Sequence, residues 1–214
     1  HILEVLKKSA SGKPKMPEYK YKWNKTKVDI IVSDMNGEMM NNIKVKLYNN
    51  FFEKLQVKNI SVGILKKLID NGYNTIPKIL TADREEIYEI DGIGEKLMTK
   101  IDKNIKNAFK KMDLVTFMAA SHKFGRGFGV KKIKLILNKY PDILNKKWKK
   151  DEMIDKINEI NGYDQKTSSQ FVTNMEKFKK FYNEINKCYN ISHINKVKKK
   201  KLGSLFTNEK IVFT

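Results

Sequence analysis

The chain has 214 residues, enough for one large domain or for two or three small modules. Its 44 lysine and arginine residues outnumber its 24 acidic residues, which gives a formal net charge of +20. This excess is spread along the chain and indicates a polyanionic partner, with nucleic acid favoured over an anionic membrane. A lysine-rich genomic composition is the alternative explanation for the same charge.

The single cysteine, Cys188, excludes a disulfide within the chain, and three scattered histidines form no cluster for a structural zinc ion. Cys188 follows a helical pattern and is predicted to be buried. No apolar run is long enough to span a bilayer, and no secretory signal opens the chain. We therefore expect an intracellular protein without a membrane partner. The start at His1 without a methionine, and the end at Thr214 within an apolar run, suggest an excerpt from a longer polypeptide.

Residues 1–17 begin with an alternating apolar and polar run, Ile2–Leu6, which predicts a strand. These residues are too few for a module, so we interpret them as the last strand of a domain that begins upstream.

Residues 18–48 form a predicted connector with a possible β-hairpin. Tyr19–Val32 is aromatic and basic, as in an extended segment, and Asp34–Gly37 is a turn signal. Beyond that turn, apolar residues alternate with lysines from Ile43 to Leu47, which predicts a half-exposed strand.

Residues 49–190 follow a helical period, with short helices and no competing strand pattern. Pro77 and Pro141 are predicted to mark helix starts or breaks. A run of lysines predicts a basic linker over 191–201. Residues 202–214 have strand character again, as at the start of a new domain.

Four similar turns recur in the helical region. They are hairpin 1 (Val57–Ser61), hairpin 2 (Ile90–Gly94), hairpin 3 (Gly125–Gly129) and hairpin 4 (Ile160–Asp164). Their central apolar residues are Ile60, Ile93, Phe128 and Tyr163, at separations of 33, 35 and 35 residues. Tetratricopeptide and ankyrin arrays have a similar period, but their residue patterns are absent. A plain glycine-capped helix–helix turn is the simpler alternative.

The recurring pattern of apolar residue, any residue, glycine, apolar residue and glycine at a helix start favours helix-hairpin-helix units. We predict a mainly α fold, a tandem helix-hairpin-helix array of four hairpins with short β segments at both ends. Each hairpin would present the unpaired amides of a helix N-terminus to a phosphate oxygen, with a lysine in the next turn adding charge. Such contacts carry no base information, so DNA binding would be independent of sequence and sensitive to salt.

Hairpin 3 is the strongest predicted contact and hairpin 2 the next. Hairpins 1 and 4 lack one or both glycines, and there Ser61 or Asp164 is predicted to act as a helix N-cap. The predicted DNA-binding residues are Asn59, Ser61, Gly92, Ile93, Gly94, Lys96, Arg126, Gly127, Phe128, Gly129, Lys131, Lys132, Gly162 and Lys166. Asp91 and Glu95 are interpreted as acids at a helix start and not as metal ligands. We predict no catalytic residue and no metal site in this chain.

The order of these segments resembles the C-terminal half of NAD-dependent DNA ligases. Ile87–Lys96 is similar to the second hairpin of that family, and Leu114–Ala120 is similar to the helix that leads to its third hairpin. Residues 1–17 resemble the end of the ligase oligonucleotide-binding (OB) barrel, and residues 202–214 resemble the first strand of a BRCT domain. Bacterial members carry a four-cysteine zinc finger before the hairpins, whereas residues 18–48 contain no cysteine. This difference suggests a zinc-free ligase from a large DNA virus.

The resemblance implies an enzyme that seals nicks in duplex DNA during replication and repair, using NAD and Mg²⁺. The lysine that is adenylated would lie upstream of His1, so this segment would bind neither cofactor and would be inactive alone. It would bind double-stranded nicked DNA as a monomer, helping to encircle the nick, in the cytoplasm or a viral replication compartment. The rival hypothesis is a free-standing helix-hairpin-helix adaptor, or the DNA-binding tail of a structure-selective repair nuclease.

Overall fold

A computed structural model describes residues 16–195, which divide into two compact units between Ile43 and Lys44. Most of the predicted barrel end (1–17), the lysine run and the predicted BRCT start (202–214) lie outside the described residues. Two strands, nine α-helices and two short 3₁₀ helices (Ile143–Asn145 and Ser192–Asn195) are described. The strands and α-helices are β1 (Tyr21–Trp23), β2 (Ile30–Val32), α1 (Gly37–Lys54), α2 (Val62–Asp70), α3 (Ile76–Thr81), α4 (Arg84–Tyr88), α5 (Glu95–Lys111), α6 (Leu114–Ala120), α7 (Val130–Lys139), α8 (Lys150–Asn158) and α9 (Gln165–Tyr189).

The first unit contains a small antiparallel β-hairpin. β1 pairs with β2 so that Lys22 lies opposite Ile31. The Asn24 side chain closes the turn, because its Oδ1 accepts the backbone amides of Val28 and Asp29 at 3.0 and 3.2 Å. The hairpin therefore lies entirely within the aromatic and basic segment and does not use the turn signal that follows it.

The strand predicted from Ile43 to Leu47 is wrong, because this stretch lies inside α1. The buried face of α1 follows helical spacing, with Val45 and Phe52 two turns apart and both buried. Ile43 and Leu47 are 44% and 40% exposed. Two of the three apolar residues that produced the alternation therefore do not belong to the core.

Helix α9 organises the core of the second unit through its aromatic side chains. Phe181 stacks on Phe117 of α6, with ring centroids 5.6 Å apart. One end of the same helix places Phe171 against Phe124, with the rings stacked at 4.5 Å. Because Phe124 directly precedes hairpin 3, this packing fixes where that turn begins.

The C-terminal end of the helical region differs in detail from the prediction. Ile191 and Ile194 are buried, so packing continues into the range predicted as a linker. Cys188 is exposed, contrary to the prediction of a buried thiol. Pro77 lies in the first turn of α3, and Pro141 follows the end of α7, as predicted.

Candidate nucleic-acid interface

The four hairpins share one backbone conformation. In each, the residue before the central apolar residue is left-handed, with φ of 67° at Asn59, 73° at Gly92, 94° at Gly127 and 88° at Gly162. Glycine adopts this conformation without strain, and asparagine is among the few other residues that tolerate it. The repeat predicted from spacing is therefore confirmed in the backbone, including hairpin 1, where asparagine replaces glycine.

The residue after each central apolar residue is a helix N-cap. Ser61, Gly94, Gly129 and Asp164 occupy this position in hairpins 1 to 4, with extended backbone and ψ between 165° and 177°. They precede α2, α5, α7 and α9. Every hairpin therefore ends by exposing the first amides of a helix, which have no partner within that helix.

Capping divides the hairpins into two kinds. The Ser61 Oγ accepts the Ile64 amide at 3.3 Å, and the Asp164 Oδ1 accepts the Thr167 amide at 2.7 Å. Both predicted N-caps are thus confirmed. Hydrogen bonds from Thr167 hold the pKa of Asp164 below its usual value, so an anionic oxygen already occupies this helix start. Gly94 and Gly129 have no side chain to do the same, which leaves hairpins 2 and 3 open to an external anion.

The central apolar residues anchor the turns. Ile93 and Phe128 are only 1% and 7% exposed, so their side chains belong to the core. The Ile93 amide is also engaged, because it donates to the Ile90 carbonyl at 2.9 Å. Burial gives the side chains of these two residues a packing role, and a contact of their backbone with a ligand stays a prediction.

Four of the predicted cations are exposed, namely Lys96, Arg126, Lys131 and Lys166. Each lies within its turn or within the first residues of the helix that follows. Their charge adds to the positive end of the helix dipole at the same places. Hairpins 2, 3 and 4 therefore each combine a helix start with at least one exposed cation.

Hairpins 3 and 4 are tied together by Lys132 and Tyr163. The Tyr163 hydroxyl donates to the Lys132 carbonyl at 2.8 Å, and the Lys132 Nζ lies 5.0 Å from the centre of the Tyr163 ring. Burial raises the pKa of Tyr163, which keeps its hydroxyl protonated as a donor. The position of Lys132 over two aromatic rings indicates a bridge between the hairpins, and its contact with phosphate stays a prediction.

An amide side chain from α9 holds the turn of hairpin 3. The Gln170 Nε2 donates to the carbonyls of Phe124 and Arg126 at 2.8 and 3.3 Å. A Cβ added to Gly125 would lie 2.9 Å from that nitrogen. Glycine at this position therefore admits the bracing side chain as well as the left-handed backbone.

Hairpins 1 and 2 are joined by an equivalent brace and by a lysine. The Asn104 Nδ2 of α5 donates to the Lys58 carbonyl at 3.0 Å and to the Asn59 Oδ1 at 2.9 Å. The Lys67 Nζ of α2 donates to the carbonyl of Asp91 in hairpin 2. Neither contact could be predicted from the sequence, because the partners are 24 or more residues apart and neither residue has a local signature.

An ion pair between the helices that flank hairpin 2 also stabilises this turn. The Arg84 guanidinium holds both carboxylate oxygens of Asp102, with N–O distances of 2.8 and 2.9 Å. The same group donates to the carbonyls of Ile79 and Ala82. Because Arg84 opens α4 and Asp102 lies on α5, this fork fixes the two helices on either side of the turn.

No three His, Cys, Asp or Glu side chains within residues 16–195 form a group that could hold a metal ion. No helix there has the length and apolar character needed to cross a membrane.

Comparison with known families matches residues 52–103 to the family described as the SAM-like helix-hairpin-helix tandem. The matched range runs from the last turn of α1 into α5 and includes hairpins 1 and 2. The chain contains a helix-hairpin-helix tandem. Hairpins 3 and 4 lie beyond the matched range and share its backbone conformation.

The whole chain is similar to a viral protein named as a DNA ligase. It is 38% identical over 217 residues to the "DNA ligase" of Acanthamoeba polyphaga mimivirus, covering 100% of this chain and 33% of that relative. A protein of Invertebrate iridescent virus 6 is 28% identical over 143 residues, which cover 66% of this chain and 22% of the relative. One of Invertebrate iridescent virus 3 is 29% identical over 147 residues, 67% of this chain and 18% of the relative.

The names of the two iridescent-virus proteins provisionally assign them as DNA ligases. The chain spans a third or less of the length of all three relatives. None of the solved structures matches it.

Proposed function

We propose that this chain is the DNA-binding part of a DNA ligase and that it holds the sugar–phosphate backbone of nicked duplex DNA without reading sequence. The observation that carries the proposal is the pair of open helix starts at Gly94 and Gly129, beside exposed cations in a chain of net charge +20. The similarity of the whole chain to a third of a viral protein named as a DNA ligase supports the enzyme class.

The proposed contacts follow from the chemistry of a phosphodiester. Its two anionic oxygens accept hydrogen bonds from backbone amides and from lysine or arginine, and they are the same at every nucleotide. A site made of helix amides and flexible cations therefore follows the backbone and ignores the bases. Because each contact releases condensed counterions from DNA, affinity falls steeply as salt rises.

In the whole enzyme, we propose that NAD is the source of the adenylate, that Mg²⁺ assists, and that the nick is sealed during replication and repair. The segment would bind DNA as a monomer, help the enzyme encircle the nick and be inactive in ligation alone. A preceding OB barrel, a zinc-free connector and a following BRCT domain belong to the same proposal.

The test is binding of the 214-residue chain to nicked and intact duplexes of two unrelated sequences across a salt series. We expect equal affinity for the two sequences and a linear fall of log K with log salt, with a slope of about −0.9 per phosphate contact. Affinity that follows sequence, or a slope near zero, would overturn backbone binding. Equal affinity for nicked and intact duplex would show that the chain does not recognise the nick.

A matched pair of variants assigns the contact to the hairpins. Lys131→Gln removes an exposed cation beside hairpin 3, whereas Lys187→Gln removes one in the last turn of α9, at the opposite end from hairpin 4. We expect the first variant alone to make the salt slope shallower. An equal effect of both variants would mean that overall charge, and not the hairpin, determines binding.

A further inference from the structure

We propose that Lys67, which lies on the helix of hairpin 1, supplies a DNA-binding cation to hairpin 2, so that the two hairpins hold one phosphate jointly. The inference rests on the proposed function and adds a residue that the spacing of the repeat does not indicate.

The contact runs from one repeat to the next. Lys67 lies in the second half of α2, and its Nζ donates to the backbone carbonyl of Asp91, 24 residues away. The Asp91 carboxylate lies 3.8 Å from the same nitrogen. The ammonium group is therefore held at the turn that begins the open helix start of Gly94.

Gly92 makes room for this lysine. A Cβ on Gly92 would lie 2.5 Å from the Lys67 Nζ, closer than such atoms approach one another. The ammonium group thus occupies the space that a side chain at Gly92 would fill. The glycine permits a left-handed φ of 73° and also admits a positive charge onto the turn.

The ammonium group retains the capacity to bind an anion. It has three N–H donors, of which the Asp91 carbonyl takes one. The Asp91 side chain is fully exposed and its oxygen is 3.8 Å away, so it is a weak counterion in water. A phosphate oxygen at the start of α5 can take its place and meet the lysine and the helix amides together.

Lys67 is better prepared for this role than Lys96, which the repeat pattern identified. Lys96 is exposed on the first turn of α5, whereas the Lys67 amine is already held against the turn. A side chain that is positioned before binding loses less conformational entropy when the ligand arrives. The structure therefore assigns part of the affinity of hairpin 2 to a residue of α2, the helix that follows hairpin 1.

The neighbouring Lys66 provides a matched control. It lies on the same helix, and its Nζ pairs with Asp70 at 2.8 Å, one helical turn further along. Lys67→Gln and Lys66→Gln remove the same charge from adjacent positions. Each variant also removes one contact of the lost amine, with Asp70 for Lys66 and with Asp91 for Lys67, and Lys67→Gln alone takes the amine from hairpin 2.

The experiment measures binding of wild type, Lys67→Gln and Lys66→Gln to nicked duplex over a salt series. Lys67→Gln should weaken binding about tenfold and make the salt slope shallower by about 0.9, while Lys66→Gln should change neither. Equal behaviour of the two variants, with wild type binding normally, would overturn this inference alone. A wild-type chain without salt-dependent binding would overturn the proposed function together with it.

Asp91→Asn tests the exchange of counterion separately. It removes the weak carboxylate partner and keeps the backbone carbonyl that positions the lysine. We expect affinity for nicked duplex to rise by about twofold to threefold, because the phosphate no longer competes with Asp91. A loss of affinity would show that the carboxylate itself positions Lys67 for binding, and would overturn the exchange.

Discussion

Hairpins 2 and 3 differ from hairpins 1 and 4 in the residue at the N-cap and hardly at all in backbone. All four turns have a left-handed residue before the central apolar residue and an extended N-cap after it. In hairpins 1 and 4 the N-cap side chain accepts an amide of its own helix, whereas in hairpins 2 and 3 the N-cap is glycine. The turn therefore sets the geometry, and the N-cap residue decides whether the helix start is closed or open to a ligand.

Hairpins 1 and 2 form one pair, and hairpins 3 and 4 form the other. The open hairpin comes second in the first pair (hairpin 2) and first in the second pair (hairpin 3). The bracing amides have the same order in both pairs. Asn104 and Gln170 each lie on the helix after the second hairpin of a pair, and each holds the turn of the first hairpin of that pair. Bracing and opening are therefore independent features of the repeat. A variant can change one of them and leave the other in place, which makes the comparison testable.

The largest effect is expected at the left-handed position of an open hairpin. Gly127→Val places a β-branched side chain at φ 94°, which should destabilise the fold by about 2 kcal/mol and distort the helix start. Thermal unfolding and affinity for nicked duplex should both fall.

The matched control for that variant is Gly129→Ala. Its φ is −84° and a new Cβ would meet no atom within 4 Å, so the fold should tolerate it. Equal destabilisation by both variants would contradict the idea that the left-handed residue sets the geometry.

The turns could be predicted because their signal is local. A glycine, an apolar residue and a cap stand next to one another in the chain and recur at a nearly constant period. The caps at Ser61 and Asp164 followed from the same short stretch. The strand prediction within α1 was wrong for a related reason. The alternation from Ile43 to Leu47 is too short to decide between a strand and a helix, and the helical spacing shows only when Phe52 is included.

The contacts between hairpins could not be predicted from the chain. Lys67, Asn104 and Gln170 are ordinary polar residues on helix surfaces, and their partners are 24 to 46 residues away. Lys132 was predicted to contact phosphate from its position after the turn, and that position did not indicate the two aromatic rings from different hairpins that it contacts. The role of a lysine beside a hairpin therefore depends on how the repeats pack together.

Exchanging the N-cap residues of hairpins 3 and 4 should change stability and DNA affinity in opposite directions. Gly129→Asp gives hairpin 3 the cap of hairpin 4, and its carboxylate should stabilise α7 by about 0.3 kcal/mol while repelling phosphate. Asp164→Gly should do the reverse, with lower stability and tighter binding. The measurements are thermal unfolding and affinity for nicked duplex on the same samples. Stability and affinity that rise or fall together in both variants would show that the N-cap does not control access.

The smallest expected effect is a difference between closed hairpins 1 and 4 in how their caps contribute to thermal stability as the pH changes. The pKa of Asp164 is lowered in the folded protein by hydrogen bonds from Thr167, so its contribution to stability is complete above the ordinary aspartate pKa of about 3.9. That contribution is lost as the pH falls through the folded pKa. Asp164→Asn should therefore show a smaller loss of thermal stability than wild type between pH 7 and the acid range. Ser61→Ala should lower stability equally at every pH, because its hydroxyl does not titrate. An Asp164→Asn profile parallel to that of wild type would mean that the charged cap contributes nothing to closing hairpin 4.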